Sequence, residues 1–75
     1  MRFISIEEHG STEKVLVNVS QISSITSTPN SDAVGYQRIV SVNMSGGTSV
    51  TTKFTSVEHA IDYIQRARSV SLEYP

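Results

Sequence analysis

Apolar and polar residues alternate through most of this 75-residue chain, and the alternation gives way to helical spacing only near its end. In RFISIEE, residues 2–8, Ile4 and Ile6 fall on one side and Phe3, Ser5 and Glu7 on the other. That is the period-2 pattern of a strand with one buried face. EHGSTE follows as a turn. KVLVNVS, residues 14–20, is a second strand with Val15, Val17 and Val19 on one face and Leu16 and Asn18 on the other, and the two strands read as a hairpin. Ile22 and Ile25 then stand three apart, a spacing that suits one helical turn leading into a strand over residues 22–28. TSTPNSDAVG, residues 26–35, collects Pro29, Asn30, Asp32 and Gly35 and reads as a loop. YQRIVSVNM, residues 36–44, is a strand whose inner face is Val40, Val42 and Met44. Ser45-Gly46-Gly47-Thr48 predicts a two-residue hairpin turn, with glycines where positive φ is needed. SVTTKF, residues 49–54, returns with Val50, Thr52 and Phe54 in register.

The period changes after Phe54. Thr55-Ser56-Val57-Glu58 fits a capping box, with Thr55 as the cap and the Glu58 carboxylate reaching back to its amide. Val57, Ala60, Ile61, Ile64 and Ala67 recur at helical spacing, which predicts a helix over residues 56–68 with Val57, Ile61 and Ile64 turned to the core. Glu58 and Asp62 lie early in that helix and Arg66 and Arg68 late, as its dipole favours, and Asp62 can pair with Arg66 one turn on. The fold class that follows is α+β: an antiparallel meander of four to five strands covered on one face by a single C-terminal helix. The chain forms one small domain, with residues 70–75 as a flexible or interface tail.

The run VLVNVSQISSITSTPN, continued by IVSVNMSGGTSVTTKFTSVEHAIDYI, resembles the FlbD/SwrD family of small flagella-associated bacterial proteins over residues 15–64. The matching positions are Asn18, Ile22, Ile25, Pro29, Gly47, Val57, Glu58 and Ile61. The resemblance implies the same strand–turn–strand–helix fold and a role as a motility accessory protein. The chain departs from that pattern in an extra N-terminal strand, a longer loop after Pro29 and few C-terminal lysines.

Composition narrows the chemistry. The chain has no cysteine, which excludes a disulfide framework, a thiol nucleophile and a thiolate zinc site. Six basic and seven acidic residues give a net charge of −1 with no basic stripe. Arg38, Lys53, Arg66 and Arg68 lack an aromatic platform on a basic face, which argues against nucleic acid as the partner. The opening MRFISIEEHG lacks the apolar core of a signal peptide and no run is long enough to span a bilayer, so the expectation is a cytoplasmic chain without a membrane partner. His9 reads as a solvated turn residue and His59 as a surface or boundary residue, and no spacing gathers three metal ligands. Glu7 and Glu8 are adjacent on a strand and point to opposite faces, the wrong geometry for paired acid–base work. Ser45-Gly46-Gly47 lacks the lysine and helix of a phosphate loop. The chain is therefore expected not to be an enzyme and to need no cofactor or metal.

What remains is binding to a larger protein. Tyr63 and Arg66 on the helix, Tyr36 and Arg38 at the start of the fourth strand, and Leu72 and Tyr74 in the tail are residue types that anchor interfaces. The expectation is an adaptor or an inhibitor, by analogy with the cysteine-free chains of this size that phages and mobile elements encode, some of which inhibit host defence systems. Open sheet edges and a thin core also favour a homodimer, through an edge strand or the tail.

Overall fold

The computed structural model describes residues 2–29 and 38–70. The elements run β1 (Phe3–Glu7), β2 (Lys14–Asn18), a 3-10 turn (Val19–Gln21), β3 (Ile22–Pro29), β4 (Arg38–Met44), β5 (Ser49–Thr52) and α1 (Val57–Arg66). This is the expected α+β class: antiparallel strands followed by one C-terminal helix. The five strands divide, however, into a β1-β2 hairpin and a β3-β4-β5 sheet rather than forming one meander. Asn18 is the reason for the break. Its Oδ1 accepts from the amide of Ser20 at 3.1 Å and from its hydroxyl at 2.8 Å, which caps the 3-10 turn and swings β3 away from β2.

The two sheets meet instead where β1 ends and β5 ends. The amide of His9 donates to the carbonyl of Thr51 at 2.8 Å, the amide of Lys53 donates to that of Glu7 at 3.2 Å, and Glu8 faces Thr52 between them. Ile4, Ile6 and Val17 from the hairpin join Val42 from the second sheet in one buried cluster, with Val15, Val19, Ile25, Phe54 and Ile64 packed around it. The alternation therefore does what it predicts: Ile4 and Ile6 go inward and Ser5 and Glu7 stay on the other face.

β1 is the spine of the molecule, because both of its edges are occupied. Its even-numbered residues bond β2, as the Val19 amide on the Arg2 carbonyl shows, so its odd-numbered carbonyls point the other way. Each finds a donor. The Phe3 carbonyl accepts from the Val70 amide at 2.8 Å, the Ser5 carbonyl accepts from the Tyr63 hydroxyl, and the Glu7 carbonyl accepts from Lys53. A tyrosine hydroxyl thus supplies one rung of what would otherwise be a backbone ladder.

β3 extends to Pro29, into residues read above as loop. Pro29 stands opposite Arg38 at the last rung, where a missing N–H does least harm. The β4–β5 turn also differs from expectation. The Met44 amide donates to the Thr48 carbonyl at 2.8 Å, so the loop has three residues, Ser45 to Gly47, rather than two. Gly46 and Gly47 have φ of 95° and 94°, and a Cβ on either would meet nothing within 4 Å. Any cost of a side chain there is therefore backbone strain alone. Gly47→Ala should destabilise by about 1–2 kcal/mol, read from the denaturant midpoint, and an unchanged midpoint would show that the turn tolerates an ordinary residue.

The helix cap moves by one residue from the expected place. Ser56, not Thr55, is the N-cap: it has extended backbone, and its Oγ accepts from the amide of His59 at 3.0 Å. Position three of the helix is then His59, so Glu58 has no capping-box partner to reach. Ser56→Ala should cost about 0.5–2 kcal/mol, whereas Thr55→Ala should fall within about 0.5 kcal/mol of wild type; the reverse order in thermal melts would return the cap to Thr55.

That shift accompanies a rotation of the helix face. Ala60 is the fully buried helical residue and Ile64, Tyr63 and Ala67 pack on the core, while Ile61 is 42% exposed. The expectation that Ile61 anchors the lid is overturned. Ala60, and not Ile61, is the helical residue with no exposed surface. The helix ends at Arg66, short of residue 68, because Ala67 is extended, with its carbonyl accepting from the Arg2 guanidinium at 2.6 Å, and the Val70 amide goes to the Phe3 carbonyl of β1.

Candidate functional site: a cleft beside the first hairpin

The outer face of the β1-β2 hairpin carries three cross-strand pairs: Phe3 with Asn18, Ser5 with Leu16, and Glu7 with Lys14. These are non-hydrogen-bonded pairs, the closer kind, so their side chains stand together. Leu16 is 47% exposed on this face, which it shares with Phe3 and four polar residues. The sequence pattern does not bury it, because its neighbours Val15 and Val17 already fill the inner face of β2.

A cleft of about 240 Å³ opens between this face and the start of α1. Ser5, Glu7 and Lys14 form its hairpin side, and Lys53, Phe54, His59 and Tyr63 form the other. Three rings make one wall. Phe54 meets Tyr63 with ring centres 5.1 Å apart, and the His59 ring stands edge-on to Phe54 at the same separation. The position of the wall follows from local chemistry. The Thr52 hydroxyl is buried, donates to the Val40 carbonyl at 2.7 Å and accepts from the Phe54 amide at 3.3 Å, which ends β5 and turns Phe54 toward the helix. Thr55 holds His59 from the other side, its hydroxyl 3.3 Å from Nδ1.

The charges sit on the rim. Glu7 lies opposite Lys14 across the hairpin and 3.8 Å from the Lys53 ammonium. One carboxylate thus stands among two lysines, and the lining keeps a surplus positive charge on a chain whose net charge is −1. All three side chains are exposed, so these attractions are weak and sensitive to salt. Among the described residues, every buried side-chain nitrogen or oxygen has a hydrogen-bond partner, and no three His, Asp or Glu side chains gather as metal ligands.

Of the residues singled out as interface anchors, Tyr63, Arg66 and Arg38 are described, and each has a different setting. Tyr63 is half-buried, with its ring on Phe54 and its hydroxyl on the Ser5 carbonyl, so it is a structural residue that also lines the cleft and not a free anchor on the helix surface. Arg66 is exposed and pairs with Asp62 at 2.8 Å, the i,i+4 bridge the spacing predicts. Residues three apart differ by about 60° around a helix, enough to put Tyr63 at the core edge and Arg66 in solvent. Arg38 is engaged with its own sheet: its guanidinium donates to the Ser27 hydroxyl at 2.7 Å and to the Ser27 carbonyl at 3.0 Å. Tyr36, Leu72 and Tyr74 lie outside the described residues.

Apart from Tyr63, the cleft residues escaped the sequence reading, because they come from four separate segments. Leu16 did leave a signal, as the one large apolar residue on the polar side of β2. Among the described residues, no helix is long and apolar enough to cross a membrane. No family model, curated protein or solved structure matches this chain.

Proposed function

We propose that the chain is a small non-enzymatic interaction module that acts as an adaptor or inhibitor by occupying a surface on a larger protein. The observation that carries the reading is Leu16. It is a large apolar side chain, 47% exposed, on a strand that has a single neighbour among the described residues, directly beside the cleft. An exposed leucine alone is ordinary, but next to a concave wall of three rings it makes a contact surface of the kind that protein partners use. The small size and the lack of cysteine are what such modules share when phages or mobile elements encode them.

The test is affinity capture from a lysate of the encoding cell with wild type and with Leu16→Glu. Wild type should retain a specific larger protein that the variant loses, at an unchanged melting temperature. Equal capture by both chains would overturn the assignment of this face. A mass of two chains in light scattering would identify a second copy as the occupant instead.

The motility role implied by the FlbD/SwrD resemblance is the second reading. Several of the positions that carry it serve the fold here: Asn18 caps the 3-10 turn, Gly47 needs its positive φ, and Ile22 and Ile25 pack on the core. Flagellar genes beside this one would favour that reading.

A further inference from the structure

Resting on the interaction-module reading, we infer that the cleft docks an acidic segment of the partner chain, with an apolar side chain on the Phe54–Tyr63 wall and a carboxylate between Lys14 and Lys53. Three observations carry this. The Phe54–Tyr63 wall is apolar and ready-made, because Phe54 and Tyr63 are fixed by the core and by the Tyr63 hydrogen bond to Ser5. Leu16 extends that apolar ground past Ser5. The rim then supplies two ammonium groups where the protein as a whole is slightly acidic.

Glu7 is the informative residue. It is the resident carboxylate at the rim, opposite Lys14 and 3.8 Å from the Lys53 nitrogen, and so stands in for the ligand's own acidic group. At 3.8 Å the contact is at the long end for an ion pair, and its partners are exposed, so a better-placed carboxylate can replace it at little cost. A basic segment would meet Lys14 and Lys53 as like charges.

The test uses a fluorescent five-residue peptide with two aspartates, a central phenylalanine and two further aspartates, titrated by anisotropy against the full chain. A control peptide carries lysines in place of the aspartates. The acidic peptide should bind, the control should bind at least about tenfold more weakly, and binding should weaken as salt is raised. Lys14→Glu and Lys53→Glu should each weaken it about threefold or more, and Glu7→Gln should strengthen it by about twofold or more, since it removes the competing carboxylate. All three positions are exposed, and unchanged melting temperatures confirm that the variants are folded. Equal affinity for the two peptides would overturn the proposal, as would a Glu7→Gln variant that binds the acidic peptide less well. Failure here alongside Leu16-dependent capture would reject the acidic ligand and leave the interaction module standing.

Discussion

Ile4→Ala is expected to lower the melting temperature by at least about 10 °C, while Ile61→Ala moves it little. Ile4 has no exposed surface and joins Ile6, Val17 and Val42 in the cluster that holds the hairpin to the second sheet. Truncating a buried isoleucine loses transfer energy and leaves a cavity, together about 2–5 kcal/mol. In a domain of this size each kcal/mol is worth roughly 4–8 °C, and total stability is on the order of 5–10 kcal/mol. Ile4→Ala thus removes a large fraction of what is available. Ile61 loses less because 42% of its surface already faces water, and its truncation should stay under about 1 kcal/mol. Thermal melts followed by circular dichroism compare the two directly. Similar losses at both positions would mean that the helix presents Ile61, and not Ala60, to the sheets.

Tyr63→Ala should come next, at about 2–4 kcal/mol, a figure reduced from the usual cost of deleting a core aromatic because Tyr63 is only half-buried. Two contributions are separable. The ring packs on Phe54 and the core, and the hydroxyl serves the Ser5 carbonyl. Tyr63→Phe keeps the first and removes the second, so it should cost about 1 kcal/mol. It should also be felt along β1, since Val70 and Lys53 donate to the flanking carbonyls of the same edge. Amide hydrogen exchange at Val70 and Lys53 should quicken in Tyr63→Phe relative to amides in the β3–β4 ladder. If exchange is unchanged there and stability is kept, the hydroxyl is not a rung of the sheet, and the wall of the cleft is held by packing alone.

The candidate site was only faintly legible. Alternation alone sets Ser5 and Glu7 opposite Ile4 and Ile6, and Leu16 opposite Val15 and Val17, and it gives Lys53 and His59 no link to them. Nothing local says that Lys53, Phe54 and His59 face Ser5 across a cleft. Those residues are about fifty positions from Ser5, and periodicity carries no information over such a distance. Conversely, Tyr63 and Arg66 looked like a shared surface because three-residue spacing is ambiguous at the border between core and solvent.

Sequence by itself determined the elements whose cause is local. Strand faces follow from alternation, since a buried face is mostly apolar, and Ile4, Ile6, Val17, Val40 and Val42 are all buried. The glycine turn follows from backbone sterics, and the helix and its Asp62–Arg66 bridge follow from the 3.6-residue repeat. Tertiary structure alone decided how these pieces meet. The hairpin joins β5 rather than β3 because Asn18 redirects the chain, and the orientation of the packed helix buries Ala60 and leaves Ile61 42% exposed. The helix stops at Arg66 because Arg2 and Phe3, more than sixty residues earlier in the chain, hold Ala67 in extended backbone and bond the Val70 amide. Each of these is a competition between partners distant in sequence, and its outcome depends on which hydrogen bonds and contacts can be satisfied together once the chain is folded.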